Sequence, residues 1–285
     1  MIKKRKAFIC GVKGKKLSKK EIFFLKKYKP WGIILFSRNI FSIKQTQMLT
    51  KKIKSIFKDE NYPILVDEEG GRVSRLSKFI ESSNFSAKYF GDLYLNDKNK
   101  FYLYFSIYIK QISYLLNLLG ININTVPNLD LRRSFSHKVV GDRSYSSKSK
   151  TSSKIGDICI NLFHKNGIAC VIKHIPGHGL ATVDSHKKLP IVTKSKKYLL
   201  KNDFYTFKNK KSLFAMTAHV LYKNFDSINC ATHSKDAGRC LGVEWESPLE
   251  KRVARPNGGD PHTDHSGQRG LHQFWLRGGL SQDHA

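Results

Sequence analysis

Lys173-His174-Ile175-Pro176-Gly177-His178-Gly179, followed by Asp184-Ser185-His186 and then Leu189-Pro190, is the stretch that decides the reading of this chain. Ahead of it, Gly167-Ile168-Ala169-Cys170-Val171-Ile172 is apolar, β-branched and too short for a helix, which predicts a buried strand. Pro176, Gly177 and Gly179 then take the chain out of that strand in a turn or loop. The fourteen residues from 173 to 186 hold three histidines, a lysine and an aspartate. Polar groups gathered just past the C-terminal end of a buried strand are where α/β folds place their chemistry.

Outward from this stretch, short apolar runs alternate with longer amphipathic, Lys-rich segments. Strands are predicted at 7–11, 32–36, 64–66, 121–126, 169–172 and 213–217. Helices are predicted at 18–28, 43–57, 101–119, 151–166 and 195–207, the first opening on the capping-box pattern Ser18-x-x-Glu21. Repeated strand–helix alternation implies an α/β fold with parallel strands and an active face at their C-terminal ends. Six such units are visible, two short of a closed eight-stranded barrel.

The 285 residues suffice for one large α/β domain or two small ones, and 40% hydrophobic with 12% aromatic residues exclude a disordered chain. The formal net charge is +29, spread as single and paired lysines. The reading preferred here is solubilising lysine on exposed helix faces, because no nucleic-acid motif accompanies the charge. The apolar run from Ala7 to Val12, behind a basic start, is shorter than the roughly 7–15 residues that export needs. No segment reaches the ~18 apolar residues of a membrane span. Five widely spaced cysteines without a CxxC pair fit reduced thiols, so a cytoplasmic location is expected.

Near residue 235 the composition changes. Up to Lys235 there are 38 Lys and 7 Arg; from Asp236 onward there are one Lys and 5 Arg, with eight of the twenty glycines. Apart from an apolar patch at Phe274, Trp275 and Leu276, no helical or strand period runs through 236–285. The expected organisation is therefore a barrel domain over 1–235 and a Gly/Arg/His-rich tail over 236–285 that does not belong to it, either disordered or a frameshift or assembly artefact.

Each predicted strand ends in polar residues. After the second come Ser37-Arg38-Asn39. After the third comes Asp67-Glu68-Glu69-Gly70-Gly71-Arg72-Val73-Ser74-Arg75. After the fourth come Asn128 and Asp130, then Gly141-Asp142-Arg143-Ser144-Tyr145; the sixth ends at Thr217-Ala218-His219. An Asp directly after a buried strand suits vicinal hydroxyls, and Arg and Lys around it suit the oxygens of a polar ligand.

Taken together, Asp-Glu-Glu-Gly-Gly-Arg-Val-x-Arg, Gly-Asp-Arg-Ser-Tyr and Lys-His-x-Pro-Gly-His-Gly-x4-Asp-Ser-His-x-x-Leu-Pro resemble the family 3 glycoside hydrolases of the bacterial β-N-acetylglucosaminidase type. The likeness runs from the first strand to about Ser234. It implies a TIM-type (β/α)8 barrel, here lacking its last strands. It also implies retaining hydrolysis of terminal β-linked N-acetylglucosamine through a covalent glycosyl-enzyme, with no cofactor. The implied substrate is a muropeptide of peptidoglycan recycling; the expected protein is monomeric, without a membrane or specific nucleic-acid partner.

By the same resemblance Asp67 holds sugar hydroxyls, and Arg75, Arg143, Lys173 and His174 complete the sugar site. His186 is implied as general acid/base with Asp184 as its partner. Histidine serves at neutral pH because its unperturbed pKa is ~6.5, and a nearby carboxylate orients the ring and favours its protonated form. Arg72 is read as a structural ion-pair partner, and His178 either braces the loop or touches substrate. The family's nucleophilic aspartate follows a seventh apolar strand. Asp236, Asp260, Asp264 and Asp283 have no such strand before them, so none is assigned. Two other readings remain: a zinc hydrolase using His174, His178, Asp184, His186 and His219, and a non-catalytic polyanion binder. Against zinc, no HxH follows the first strand and no HExxH occurs.

Overall fold

A computed structural model describes residues 5–134, 140–183, 189–234 and 236, and the backbone of 274–276. Its first units alternate as the apolar pattern requires: β1 (Lys6–Gly11), α1 (Lys19–Tyr28), β2 (Pro30–Leu35), α2 (Ile43–Phe57) and β3 (Ile64–Val66). They continue with α3 (Ala87–Asn96), α4 (Lys98–Leu118), β4 (Ile123–Asn124), α5 (Ser149–Lys165) and β5 (Ala169–Ile175). After β6 (Ile191–Val192) come α6 (Lys196–Lys201), β7 (Phe214–Thr217), β8 (Leu221–Tyr222) and β9 (Phe274–Leu276).

Short polar side chains start the helices where the sequence turns apolar. Ser18 accepts from the Glu21 amide while Glu21 accepts from the Ser18 amide, completing the expected capping box. Ser42, Ser86, Asp97 and Ser195 cap α2, α3, α4 and α6 in the same way, each satisfying a first-turn N–H that has no helical partner.

The main sheet has the order β1-β2-β3-β4-β5-β7, all parallel, with β9 antiparallel at the β7 edge. Alternate residues of each strand face opposite layers. Ile33, Leu35, Ile64 and Val66 enter the large core under the helices, whereas Ile34, Leu65, Ile123, Val171 and Met216 form a separate cluster. That second cluster takes one side chain from each of β2, β3, β4, β5 and β7, the way a curled parallel sheet fills its concave side. The sheet is thus a six-stranded parallel half-barrel; among the described residues a closed eight-stranded barrel is not formed.

All six predicted strands are present, the third with the limits expected and the others with shifted ones. β5 runs on to Ile175, so Lys173 and His174 lie within the strand and not in the loop after it. The helix predicted at 195–207 is two pieces, α6 and a 3-10 turn at Phe204–Phe207. α3, and the small parallel pair β6–β8, were not anticipated. Within 236–285, Phe274–Leu276 pairs with Phe214–Met216 of β7. Among the described residues no helix is long and apolar enough to cross a membrane.

Candidate active site

The C-terminal ends of β3, β4 and β5 bring acidic and basic side chains to one place. Lys173, on β5, is only 1% exposed. Its Nζ lies 3.0 Å from Asp67 Oδ1, 2.5 Å from Glu69 Oε1 and 3.0 Å from the Thr125 hydroxyl. Thr125, just past β4, also donates to Asp67. Arg143 leaves the 3-10 turn at Gly141–Arg143 and grips Glu69 in a two-pronged contact, Nε to Oε2 at 2.8 Å and Nη2 to Oε1 at 2.7 Å. Arg75 reaches Asp67 Oδ2 at 3.9 Å.

Burial works to raise the Glu69 carboxyl, but Lys173 and Arg143 outweigh it and hold it at about 2. A depressed carboxyl contributes stability above its ordinary value near 4.5, and that contribution is lost as pH falls through about 2. The urea-midpoint difference between the wild type and Glu69→Gln should therefore shrink steadily from pH 5 to pH 2. A difference that does not change with pH would mean that Glu69 is not ionised in this cluster.

A second group stands beside it. Asp130, buried beyond β4, accepts from the His178 amide at 2.7 Å, and its Oδ2 lies 2.6 Å from His174 Nδ1. Burial would raise the Asp130 carboxyl, yet His174 and the His178 amide keep it below its usual value. The His174 ring is therefore oriented through Nδ1 by a carboxylate. Burial pushes His178 down to about 4, so it is neutral at pH 7, and its amide braces the loop on Asp130. Gly179 is needed where the loop crosses Leu131: a Cβ there would stand 2.3 Å from the Leu131 carbonyl oxygen. Asp203, held by Arg133 at 2.8 Å, packs under the same loop beside Gly177.

The structure thus gathers Asp67, Arg75, Arg143 and Lys173 at one cluster and His174 at its neighbour. Asp184 and His186 lie outside the described residues. Arg72 is an ion-pair partner, as expected, 2.6 Å from Asp142 on the surface. Glu69 and Asp130 read from the sequence only as polar residues after strand ends, and Thr125 falls inside the predicted fourth strand; their roles come from partners far away in sequence. Of the zinc set, the His174 and His178 rings are 5.9 Å apart, and His219 Nδ1 sits 2.9 Å from the Thr232 hydroxyl. Among the described residues no group of three His, Cys, Asp or Glu is placed to hold a metal ion.

The model of the glycosyl hydrolase family 3 N terminal domain matches residues 6–241, which includes every strand of the parallel sheet. The chain belongs to glycosyl hydrolase family 3. A beta-hexosaminidase of Haemophilus ducreyi is 34% identical over 230 residues, covering 76% of this chain and 63% of that protein. Beta-hexosaminidase A of Pseudoalteromonas piscicida is 29% identical over 211 residues, 71% of this chain and 35% of its own length. This family 3 chain therefore spans between about a third and two thirds of the curated relatives just named. Native NagZ from Neisseria gonorrhoeae superposes with a TM-score of 0.73 at 28% identity, over 81% of this chain and 67% of its own. A family 3 beta-N-acetylglucosaminidase from Paenibacillus superposes with a TM-score of 0.72, also at 28% identity, over 82% and 45%. The family 3 domain places its clustered polar side chains at the same strand ends from which the motifs were read.

Proposed function

We propose that this chain is the substrate-binding barrel portion of a retaining exo-β-N-acetylglucosaminidase acting on muropeptide-type glycosides in peptidoglycan recycling. The observation that carries the reading is the buried cluster of Lys173, Asp67, Glu69 and Arg143, with Arg75 and His174 beside it. Such a cluster offers fixed acceptors and donors to the hydroxyls and amide of a neutral hexosamine. In support, NagZ from N. gonorrhoeae, 28% identical with a TM-score of 0.69, has been solved with N-trifluoroacetyl-D-glucosamine.

In this reading Asp67 accepts from sugar hydroxyls, while Lys173 and Thr125 hold its carboxylate in place. Arg75, Arg143 and His174 supply donors around the ring. His186, which follows β5 in the sequence, protonates the glycosidic oxygen as the bond to the anomeric carbon breaks. It later takes a proton from the water that releases the sugar, with Asp184 orienting its ring. The step between needs a carboxylate to bond the anomeric carbon. The sequence pattern assigns none of Asp236, Asp260, Asp264 and Asp283 to that step, so in this reading the 285-residue chain binds the sugar and does not turn it over. The reaction needs no cofactor, and the protein is placed in the cytoplasm as a monomer.

Titrating the purified chain with N-acetylglucosamine should show binding, and a chromogenic N-acetylglucosaminide should release no chromophore. Asp67→Ala should weaken the sugar by about tenfold or more, as expected for losing hydrogen bonds to a charged group. Chromophore release would overturn the missing-nucleophile claim; failure of the wild type to bind would overturn the substrate assignment.

A further inference from the structure

The three acidic residues after β3 divide their work, and the middle one does not face the cluster. Glu68 is 2% exposed, and its peptide is fixed to β4 in both directions: Asn124 Oδ1 accepts from its amide at 3.0 Å and Asn124 Nδ2 donates to its carbonyl at 2.8 Å. Its carboxyl instead turns to the far arm of the hairpin that follows. Oε2 accepts from the Ser74 hydroxyl at 3.0 Å, the Arg75 amide at 2.6 Å and the Leu76 amide at 2.9 Å. The hairpin closes at Gly70 and Gly71, both with positive φ, and the Glu69 amide donates to the Val73 carbonyl. Three donors on one buried oxygen fix the backbone of Arg75, the residue whose guanidinium faces Asp67.

We propose that Glu68 is the positioning residue of the sugar site, holding the 70–75 hairpin so that Arg75 is presented to Asp67 and the bound sugar. This rests on the N-acetylglucosamine reading above and assigns the site a support that the motif alone does not distinguish from its neighbours. Glu68 Oε1 accepts no hydrogen bond among the described residues, so the ionised carboxylate gains nothing at that oxygen to offset its burial. The titratable groups acting on it are Arg75 in its own hairpin and Tyr108 on α4, whose hydroxyl lies against Gly70; Asp67 and Glu69 flank it in sequence. Burial pushes the Glu68 carboxyl up to about 7, although the Leu76 and Arg75 amides pull the other way. A packed hairpin that holds the proton more tightly than an open one is favoured at low pH and loosened as pH rises through 7.

The test uses the full chain, with N-acetylglucosamine affinity measured at pH 6 and pH 8, and amide exchange read at Arg75 and Leu76. At pH 6, Glu68→Gln should bind within about threefold of the wild type, whereas Glu68→Ala should bind about tenfold more weakly and lose protection at both amides. From pH 6 to pH 8 the wild type should weaken by up to about tenfold, and Glu68→Gln should not. A Glu68→Ala chain with native affinity and protection overturns the proposal, and so does an equal pH step in Glu68→Gln. If Glu68→Ala does not fold, the pH step still decides. If the wild type binds no sugar, the substrate reading fails, while the exchange pattern still decides whether Glu68 holds the hairpin.

Discussion

Lys173→Met is expected to lower the stability of the chain by about 3–5 kcal/mol and to abolish N-acetylglucosamine binding. Methionine has nearly the length and volume of lysine, so the loss does not come from a cavity. It comes from leaving Asp67 and Glu69 buried without the ammonium that both share. Arg143 still grips Glu69, whereas Asp67 loses its buried ammonium and Arg75 stands farther off at 3.9 Å. Urea unfolding of both proteins measures the effect. Adding Asp67→Asn to Lys173→Met should restore part of the loss, because the carboxylate that has lost its ammonium is then neutral. A loss under about 1 kcal/mol would show that water already screens these carboxylates.

Gly91→Ala is expected to cost about 3 kcal/mol or more, with sugar binding weakened at the same time. A Cβ on Gly91 would stand 1.7 Å from the Tyr145 carbonyl oxygen and 2.6 Å from its carbon. Backbone lies against backbone here, so no side-chain rotation relieves the clash. α3 must back away from the Gly-Asp-Arg-Ser-Tyr segment, which carries the Arg143 that grips Glu69. Gly14→Ala serves as the control, with nothing within 4 Å of the added carbon; its effect should stay within about 0.5 kcal/mol. Equal melting temperatures for the two variants would contradict the packing of α3.

The same glycine explains why α3 was not legible in the sequence. Ala87–Asn96 has a glycine in its middle, which reads as a breaker, while the contact that demands it lies fifty-four residues away at Tyr145. The six parallel strands were legible because burial on both faces leaves uninterrupted apolar runs. Where polar residues sit inside a strand, the limits moved. Lys173 and His174 continue β5 because their polar ends are met by Asp67, Glu69 and Asp130, a compensation that no local pattern reveals. The residue types of the site were legible as motifs at strand ends. Their pairing was not, since Glu69 and Arg143 are brought together only by the curl of the sheet. Asp184 and His186 remain readings from sequence.

The charge pairing at the site has a consequence for how binding responds to ionic strength. Asp67, Glu69, Lys173, Arg143 and Arg75 each already have an opposite charge within 4 Å, so a neutral sugar enters without displacing counterions. Its affinity should therefore be nearly flat across salt concentration. The +29 surface behaves oppositely: any polyanion held there releases condensed ions and is lost steeply as salt rises. A single salt series run with both kinds of ligand thus separates the paired cluster from the surface without altering a residue.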